Sequence, residues 1–199
     1  MSKAGAITRR TFLIGSAAVA GGVVFGAYLV RRSLPNPLLK DLQAGQAAIT
    51  PFVKITPQGI TLIVPRADIG QGIASMQAYL IAEELDIDPH TVHLDPGQPD
   101  AAYFNGSIAG DSTPFALTDQ GFVAVTAREV MGQIAKLSAS QFTGGSSSTA
   151  DLNVTLRLAG ATARETLKEA VVRRTGFARS ELKTADGVVL LPDGQRIAY

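Results

Sequence analysis

The sequence predicts an α+β domain in which β-hairpins and short strands pack against two or three helices. Three observations support this class: two apolar runs joined by turn residues near the start of the folded part, segments with apolar residues at helical spacing, and a second hairpin pattern at the C-terminal end. The chain has 199 residues, of which 46% are hydrophobic and 18% are charged. These values are typical of a globular protein, and the length predicts a single domain.

The first 32 residues carry the pattern of a twin-arginine export signal. Arg9 and Arg10 precede an apolar run at 12–30 that is rich in alanine, glycine and valine, and Arg31 and Arg32 follow it. Such a signal exports folded proteins that often carry a cofactor already. An ordinary membrane anchor is the alternative, because the run approaches the roughly 20 apolar residues that cross a bilayer. No A-x-A cleavage sequence follows the run, so we predict a periplasmic protein that is either processed or anchored to the inner membrane through this segment.

Composition excludes several kinds of chemistry. The chain has no cysteine and only two histidines, which excludes disulfides, thiolate catalysis, cysteine zinc sites and iron–sulfur ligation by its own residues. Its 18 basic and 17 acidic residues nearly balance. Since the segment 1–32 holds basic residues and no acidic ones, the remainder is mildly acidic. This charge distribution does not favour a nucleic-acid partner, and any redox centre must be supplied by a bound cofactor.

The folded part is predicted to begin near Thr50, after a linker at 33–49 that contains prolines and a glycine. Apolar runs at 52–55 and 60–65, separated by a proline–glycine turn, predict a β-hairpin.

A helix is predicted over 73–85 and a short strand over 92–94. The order strand, strand, helix, strand is that of a split β-α-β layer. Residues 95–121 are rich in glycine and proline, which predicts a long irregular loop.

Two more helices and a hairpin are predicted in the second half of the chain. Residues 122–137 favour a helix, and apolar residues from Leu152 to Val171 mark a long amphipathic helix that ends before Gly176. The Ser/Thr-rich segment before the long helix is expected to cap it. A turn at 192–194 predicts a final hairpin over 187–199, whose last strand leaves an open edge.

Two glycine-containing loops that precede helices are the candidate ligand sites. They are Gly70-Gln71-Gly72 and the run Gly144, Gly145, Ser146, Ser147 and Ser148. Glycine allows a close approach of the backbone, and the N–H groups of a helix start favour a phosphate or another anion. Neither loop matches the Walker A or Rossmann pattern. Each loop alone is also typical of a plain turn or a helix cap.

Other polar residues have simpler interpretations. Glu83 and Glu84 are predicted to lie on the solvated face of a helix, and His90 and His93 to be a surface cap and a sheet residue. The aromatic stretch 103–106 either packs onto the core as a plug or lines a pocket, and we favour the plug. No catalytic or metal-ligating residue is predicted in the chain.

Several segments together resemble a known family. The segments are ITLIVPRADIGQG at 60–72, AEEL at 82–85, PDAAYFNG at 99–106 and TGGSSS at 143–148. They resemble the N-terminal part of the molybdopterin-binding large subunit of xanthine dehydrogenase family enzymes. The similarity is greatest to the isoquinoline 1-oxidoreductase beta-subunit branch, which includes membrane-associated aldehyde dehydrogenases, and it covers about 50–199.

The resemblance implies that 50–199 is part of a larger molybdopterin-binding domain. The cofactor would be molybdopterin cytosine dinucleotide, with Gln71 and its glycine neighbours at the pterin, and with Gly144 to Ser148 around the phosphate or pterin portion. The implied partners are the remainder of the large subunit and a 2Fe–2S small subunit, with or without a cytochrome c subunit. Iron–sulfur clusters would lie only in a partner.

The resemblance also implies what this chain lacks. Large subunits of the family are several times longer, and their catalytic glutamate lies near the C-terminus, beyond the part that resembles this chain. We therefore expect a cofactor-contacting segment of an exported molybdenum hydroxylase for aldehydes or N-heteroaromatics, inactive alone. A non-catalytic accessory or anchoring protein that keeps the scaffold is the alternative.

Overall fold

The computed structural model describes residues 32–199. The predicted twin-arginine signal and its apolar run at 12–30 lie outside the described residues. Within the described part, no helix combines the length and the apolar character that crossing a membrane requires. The chain from Pro35 to Tyr199 forms one compact unit that contains two small sheets and four helices, so the predicted α+β class is confirmed.

The first sheet contains the predicted N-terminal hairpin. Its strands lie in the order β1-β2-β3-β4, with antiparallel pairing of β1 with β2 and of β2 with β3, and parallel pairing of β3 with β4. The strands are β1 (Ala47–Thr50), β2 (Val53–Thr56), β3 (Gly59–Ile63) and β4 (His93–Asp95). Strand β1 was not predicted. It begins inside the stretch expected to be a linker, because pairing with β2 satisfies its backbone groups.

Helix α1 (Ile73–Leu85) connects β3 to the parallel strand β4, as the predicted strand, strand, helix, strand order requires. Gly72 precedes the helix in a left-handed conformation with φ of 79°. Fully buried side chains from both layers form the main core, among them Leu62, Ile81 and Leu85. The sheet and α1 therefore place the 64–72 loop at one end of a rigid layer.

The stretch 95–121 is more ordered than predicted. It contains a short 3-10 turn at Ala101–Tyr103 and a helix α2 (Gly106–Asp111). The predicted irregular loop is therefore partly helical, and the described residues form four helices where two or three were predicted. The side chain of Asn105 accepts a hydrogen bond from the N–H of Ile108 and starts α2. Helix α3 (Phe122–Leu137) confirms the predicted bounds.

Helix α4 (Ser147–Thr175) runs beside α1 in the same direction. Arg157 pairs with Glu84 near the C-terminal end of α1 at 2.9 Å, and the guanidinium of Arg164 donates to the backbone oxygen of Glu84 at 2.8 Å. The expected side-chain cap is wrong: Ser146 precedes the helix with φ of 56° and makes no capping hydrogen bond. The first N–H groups of α4 consequently lack a capping side chain from Ser146.

The second sheet follows α4 and contains the predicted C-terminal hairpin. Its strands lie in the order β5-β6-β7, all antiparallel, and β7 forms an edge as expected. They are β5 (Lys183–Ala185), β6 (Val188–Leu190) and β7 (Arg196–Ala198), of which β5 was not predicted. A small second core lies between this sheet and the end of α4, around Val171, Leu182 and Val189.

Candidate functional site

The two predicted glycine loops face each other across one cavity of about 590 Å³. Sequence analysis identified each loop separately, and the structure brings them together. Five of the predicted site residues line the cavity, and three others lie in the same loops outside its lining. The lining residues are Gln71, Gly72, Gly144, Ser146 and Ser148, and the others are Gly70, Gly145 and Ser147.

The parallel packing of α1 and α4 explains why the loops meet. Ile73 and Met76 in the first turn of α1 line the same cavity as Ser148 and Thr149 in the first turn of α4. Both helices therefore direct their N-terminal ends, with their partial positive charge, towards this cavity. A hydrogen bond of 3.0 Å from the N–H of Ala67 to the hydroxyl of Thr143 joins the loops directly.

The Gly70-Gln71-Gly72 loop is closed by the side chain of its own glutamine. The Nε2 of Gln71 donates to the backbone oxygen of Ala67 at 3.0 Å, and its Oε1 accepts from the N–H of Ile69 at 2.6 Å. The flanking glycines have φ of 96° and 79°, a region that residues with a Cβ adopt at a cost. Gln71 thus shapes the loop, and its direct contact with a cofactor stays a prediction.

Asp68 occupies the N-terminal end of α1. Its carboxylate accepts from the N–H of Gly70 at 2.8 Å and from the N–H of Ala74 at 2.9 Å. The hydrogen bonds from Ala74 and then Gly70 lower the pKa of Asp68 below its usual range, against a smaller opposing effect of burial. This end of α1 therefore already holds an anion of the protein itself.

The N-terminal end of α4 differs, because no acidic residue lies in its first turn. Ser148 is buried, with 7% of its surface exposed, and lines the cavity. None of the hydrogen bonds of the described residues uses its hydroxyl group. The hydroxyl is accessible from the cavity, so it can donate a hydrogen bond to a ligand atom there. Helix α4, 29 residues long, thus has its N-terminal end open to an external anion.

Ser147, by contrast, has a structural role. Its hydroxyl donates to the backbone oxygen of Gly144 at 2.8 Å and accepts from the Nδ2 of Asn105 at 2.9 Å. Asn105 is fully buried and also donates to the backbone oxygen of Phe142 at 2.9 Å. These bonds hold the 142–147 loop in place from beneath the cavity.

Sequence reasoning missed a buried ion pair below the site. The side chain of Arg66 is fully buried, and its Nη2 lies 2.6 Å from Oδ2 of Asp151. The same guanidinium donates to the backbone oxygens of Tyr103 and Phe104 at 2.7 and 2.9 Å. No pattern marks these residues: Arg66 follows an apolar strand, and Asp151 is one acidic residue on a long helix.

The ion pair also organises α2. Oδ1 of Asp151 accepts from the N–H groups of Gly106 and Ser107 at 2.8 and 3.1 Å, so one carboxylate joins the start of α2 to α4. This network therefore joins the 64–72 loop, through Arg66, to α4, through Asp151. Both Nη atoms of Arg66 are hydrogen-bonded in this network, while its buried Nε has no partner.

The aromatic stretch 103–106 acts as a plug, as favoured. Tyr103 is buried, stacks edge-on against Phe52 and donates its hydroxyl to the backbone oxygen of Pro51 at 2.8 Å. Burial raises the pKa of this phenol well above its usual value. Tyr103 therefore fixes the loop that receives Arg66.

The residues interpreted as non-catalytic have ordinary surface contacts. Arg157 pairs with both Glu83 and Glu84, while His90 lies 3.0 Å from the hydroxyl of Tyr79, and His93 is an exposed residue of β4. Over residues 32–199, no group of three or more His, Asp or Glu side chains is arranged to hold a metal ion.

Comparison with known proteins finds a distant relative. No protein-family model matches the chain. The isoquinoline 1-oxidoreductase subunit beta of Brevundimonas diminuta is 28% identical over 198 residues, a match that covers 96% of this chain and 21% of that protein. The chain thus spans about a fifth of the length of its relative. This match confirms the resemblance found in the sequence: the chain is distantly homologous to a segment of the isoquinoline 1-oxidoreductase beta subunit.

Proposed function

We propose that this chain is the cofactor-contacting segment of a molybdenum hydroxylase large subunit, and that the cavity between its two glycine loops holds part of a molybdopterin cytosine dinucleotide. The observation that carries the proposal is the convergence of both loops, and of the N-terminal ends of α1 and α4, on one cavity. Homology to part of such a subunit supports it independently.

The residues present fit an anionic, hydrogen-bonding group. Among the described residues that line the cavity, none is charged, while hydroxyl donors come from Thr143, Ser146, Ser148 and Thr149. Phosphate groups bind well to backbone amides and hydroxyls at a helix start without a cationic side chain. The volume of about 590 Å³ also lies within the range of ordinary ligand pockets.

In this proposal the chain binds and orients the cofactor and performs no proton transfer. The open end of α4 and the hydroxyl of Ser148 hold a phosphate oxygen, and the loop closed by Gln71 presents backbone groups to the pterin. When bound, the cofactor would supply the redox chemistry that hydroxylates aldehydes or N-heteroaromatics. The general base would belong to the remainder of the large subunit, so the chain alone is inactive.

The proposed partners follow from the same homology. They are the remainder of the large subunit and a 2Fe–2S small subunit, with or without a cytochrome c subunit, because the chain has no cysteine to ligate a cluster. A non-catalytic accessory protein that keeps the scaffold is the second candidate, since the chain spans only about a fifth of its relative.

We also propose export by the twin-arginine pathway, with the inner membrane or the periplasm as the destination. Replacing Arg9-Arg10 with Lys-Lys should retain the protein in the cytoplasm, because the pathway reads the paired arginines. Cell fractionation measures how the protein is distributed among the cytoplasm, the periplasm and the membrane. Unchanged recovery from the periplasm or membrane would contradict the proposal.

Ser148→Ala tests the cofactor site. In the complex purified from its native host, this variant should lower the bound molybdenum and the cytidine nucleotide. A hydrogen bond to a charged group is worth about 1.5–3 kcal/mol, or roughly a ten- to hundredfold loss of affinity. The melting temperature of the cofactor-free protein should not fall, because the hydroxyl has no partner within the protein.

Thr155→Ala on the exposed face of α4 is the matched control and should leave cofactor content unchanged. Full cofactor content in Ser148→Ala would contradict the placement of the phosphate. A purified wild-type complex without molybdenum would instead support the accessory protein.

A further inference from the structure

Helix α3 presents an apolar face that no described residue covers. Of its 16 residues only Ala124 and Ala135 are buried. Phe122 has 84% of its surface exposed, and four other apolar residues of the helix are more than half exposed. They are Val123, Val130, Ile134 and Leu137. Soluble monomers rarely expose contiguous apolar patches of this kind, which typically mark interaction sites.

This face contains a formed groove of about 540 Å³. Val123, Ala127 and Val130 form one wall, and the segment 112–114 forms the other. Arg128 fixes the loop that follows this segment, because its guanidinium donates to the backbone oxygens of Ala116 and Asp119. A partner would meet an existing surface and would lose little ordering entropy on binding.

We infer that the α3 face, defined as Phe122, Val123, Val130, Ile134 and Leu137 with their groove, binds the polypeptide that carries the rest of the large subunit. This inference rests on the proposed function. The chain covers 21% of its relative, so nearly four-fifths of that protein lies outside the homologous segment. The centres of permanent protein interfaces are apolar, as this face is.

The charges around the face favour a protein partner. Helix α3 carries Arg128, Glu129 and Lys136, so charges of both signs accompany the apolar residues. Mixed charges at the rim of an apolar centre are typical of protein interfaces, whereas helices that bind membrane surfaces are rich in basic residues on their polar face.

Site-specific photo-crosslinking tests the inference in the full-length chain in its native host. Placing p-benzoylphenylalanine at Val130 should give a crosslink whose peptides, identified by mass spectrometry, come from a molybdenum hydroxylase large subunit. The same probe at Asp193, on the exposed turn of the C-terminal hairpin, is the control and should give no such crosslink. A crosslink from Val130 to a second copy of this chain or to lipid would overturn the inference, as would the absence of any crosslink.

A charge variant separates this inference from the proposed function. Val130→Glu should reduce co-purification of the large-subunit polypeptide at least tenfold, while the melting temperature stays the same, because Val130 is 53% exposed. Asp193→Lys should leave co-purification unchanged. If wild type and Val130→Glu recover equal amounts of that polypeptide, the inference about the α3 face is overturned and the proposed function is not. If the wild-type chain itself recovers no large-subunit polypeptide, the proposed function fails and this inference fails with it.

Discussion

Gly160 allows α1 and α4 to approach closely, and its replacement by alanine should destabilise the protein. An ideal Cβ at Gly160 would lie 2.3 Å from the backbone oxygen of Ile81 and 3.0 Å from Cβ of Glu84. The oxygen belongs to a helix and cannot rotate away as a side chain would. The two helices must therefore separate by about 1 Å before an ordinary van der Waals distance is restored.

Two effects of opposite sign set the magnitude for Gly160→Ala. Alanine is favoured over glycine in a helix interior by about 1 kcal/mol. Overpacking of a well-packed core typically costs about 1–3 kcal/mol and occasionally more, and here the clash involves rigid backbone. Rigid backbone places the cost at the upper end, about 2–3 kcal/mol, so we expect a net loss of about 1–2 kcal/mol in the free energy of unfolding. The variant should also bind any cofactor with lower affinity, because α1 and α4 together position both cavity loops.

Gly132→Ala in α3 is the matched control. Its Cβ would lie 3.6 Å from the backbone oxygen of Gly106, an ordinary contact, so this variant should gain up to about 1 kcal/mol. Urea unfolding of the full-length chain, followed by circular dichroism, compares the two variants with wild type. If Gly160→Ala is as stable as wild type, the helices are not in close contact at this point and the reasoning is refuted.

Three further predictions concern the groups that support the cavity. Arg66→Met should lower the free energy of unfolding in urea by about 3–5 kcal/mol, because it leaves the Asp151 carboxylate without its buried partner; a loss below about 1 kcal/mol would contradict this role. Asp68 has a lowered pKa, so the stability that it provides is present above about pH 4 and is lost as the pH falls through its folded-state pKa. Asp68→Asn should therefore be less stable than wild type at neutral pH and approach it in acid. Parallel acid-unfolding curves of the two proteins would argue against a stabilising role of the hydrogen bonds that Asp68 accepts from Gly70 and Ala74. Burial raises the pKa of Tyr103, so the stability from its protonated phenol should be lost as the pH rises above about 10. Tyr103→Phe should lower the free energy of unfolding by about 1 kcal/mol at neutral pH, and this difference from wild type should shrink in alkaline solution. A difference that stays constant with pH would contradict burial of the phenol.

Local patterns were sufficient for most of the regular elements. The spacing of apolar residues predicted α1, α3 and α4, and turn residues predicted both hairpins, because these signals arise within one stretch of chain. The missed elements depend on distant partners. Strand β1 is ordered by pairing with β2, and α2 is held by Asn105 together with Asp151 from another helix. Short elements have too few residues to show a period of their own.

The candidate site divides in the same way. Glycines and a Ser/Thr-rich segment before helices identified both loops, although each was equally typical of a turn. The side-chain roles could not be predicted: Ser147 is bound by Asn105 from beneath, its neighbour Ser148 has no partner, and Gln71 closes its own loop. Three adjacent serines look alike in a sequence, and only the contacts around them distinguish a structural hydroxyl from an available one.

The sequence by itself determined the α+β class, the glycine loops at helix starts and the resemblance to a molybdopterin-binding subunit, because all three are encoded in residue types over short stretches. The tertiary structure alone decided that the loops share one cavity. Parallel packing of α1 against α4, close at Gly160, directs both N-terminal ends to the same side, and the Arg66–Asp151 pair holds the loops beneath them. These contacts join residues about 80 positions apart, and their geometry depends on how buried surfaces and buried charges are satisfied together.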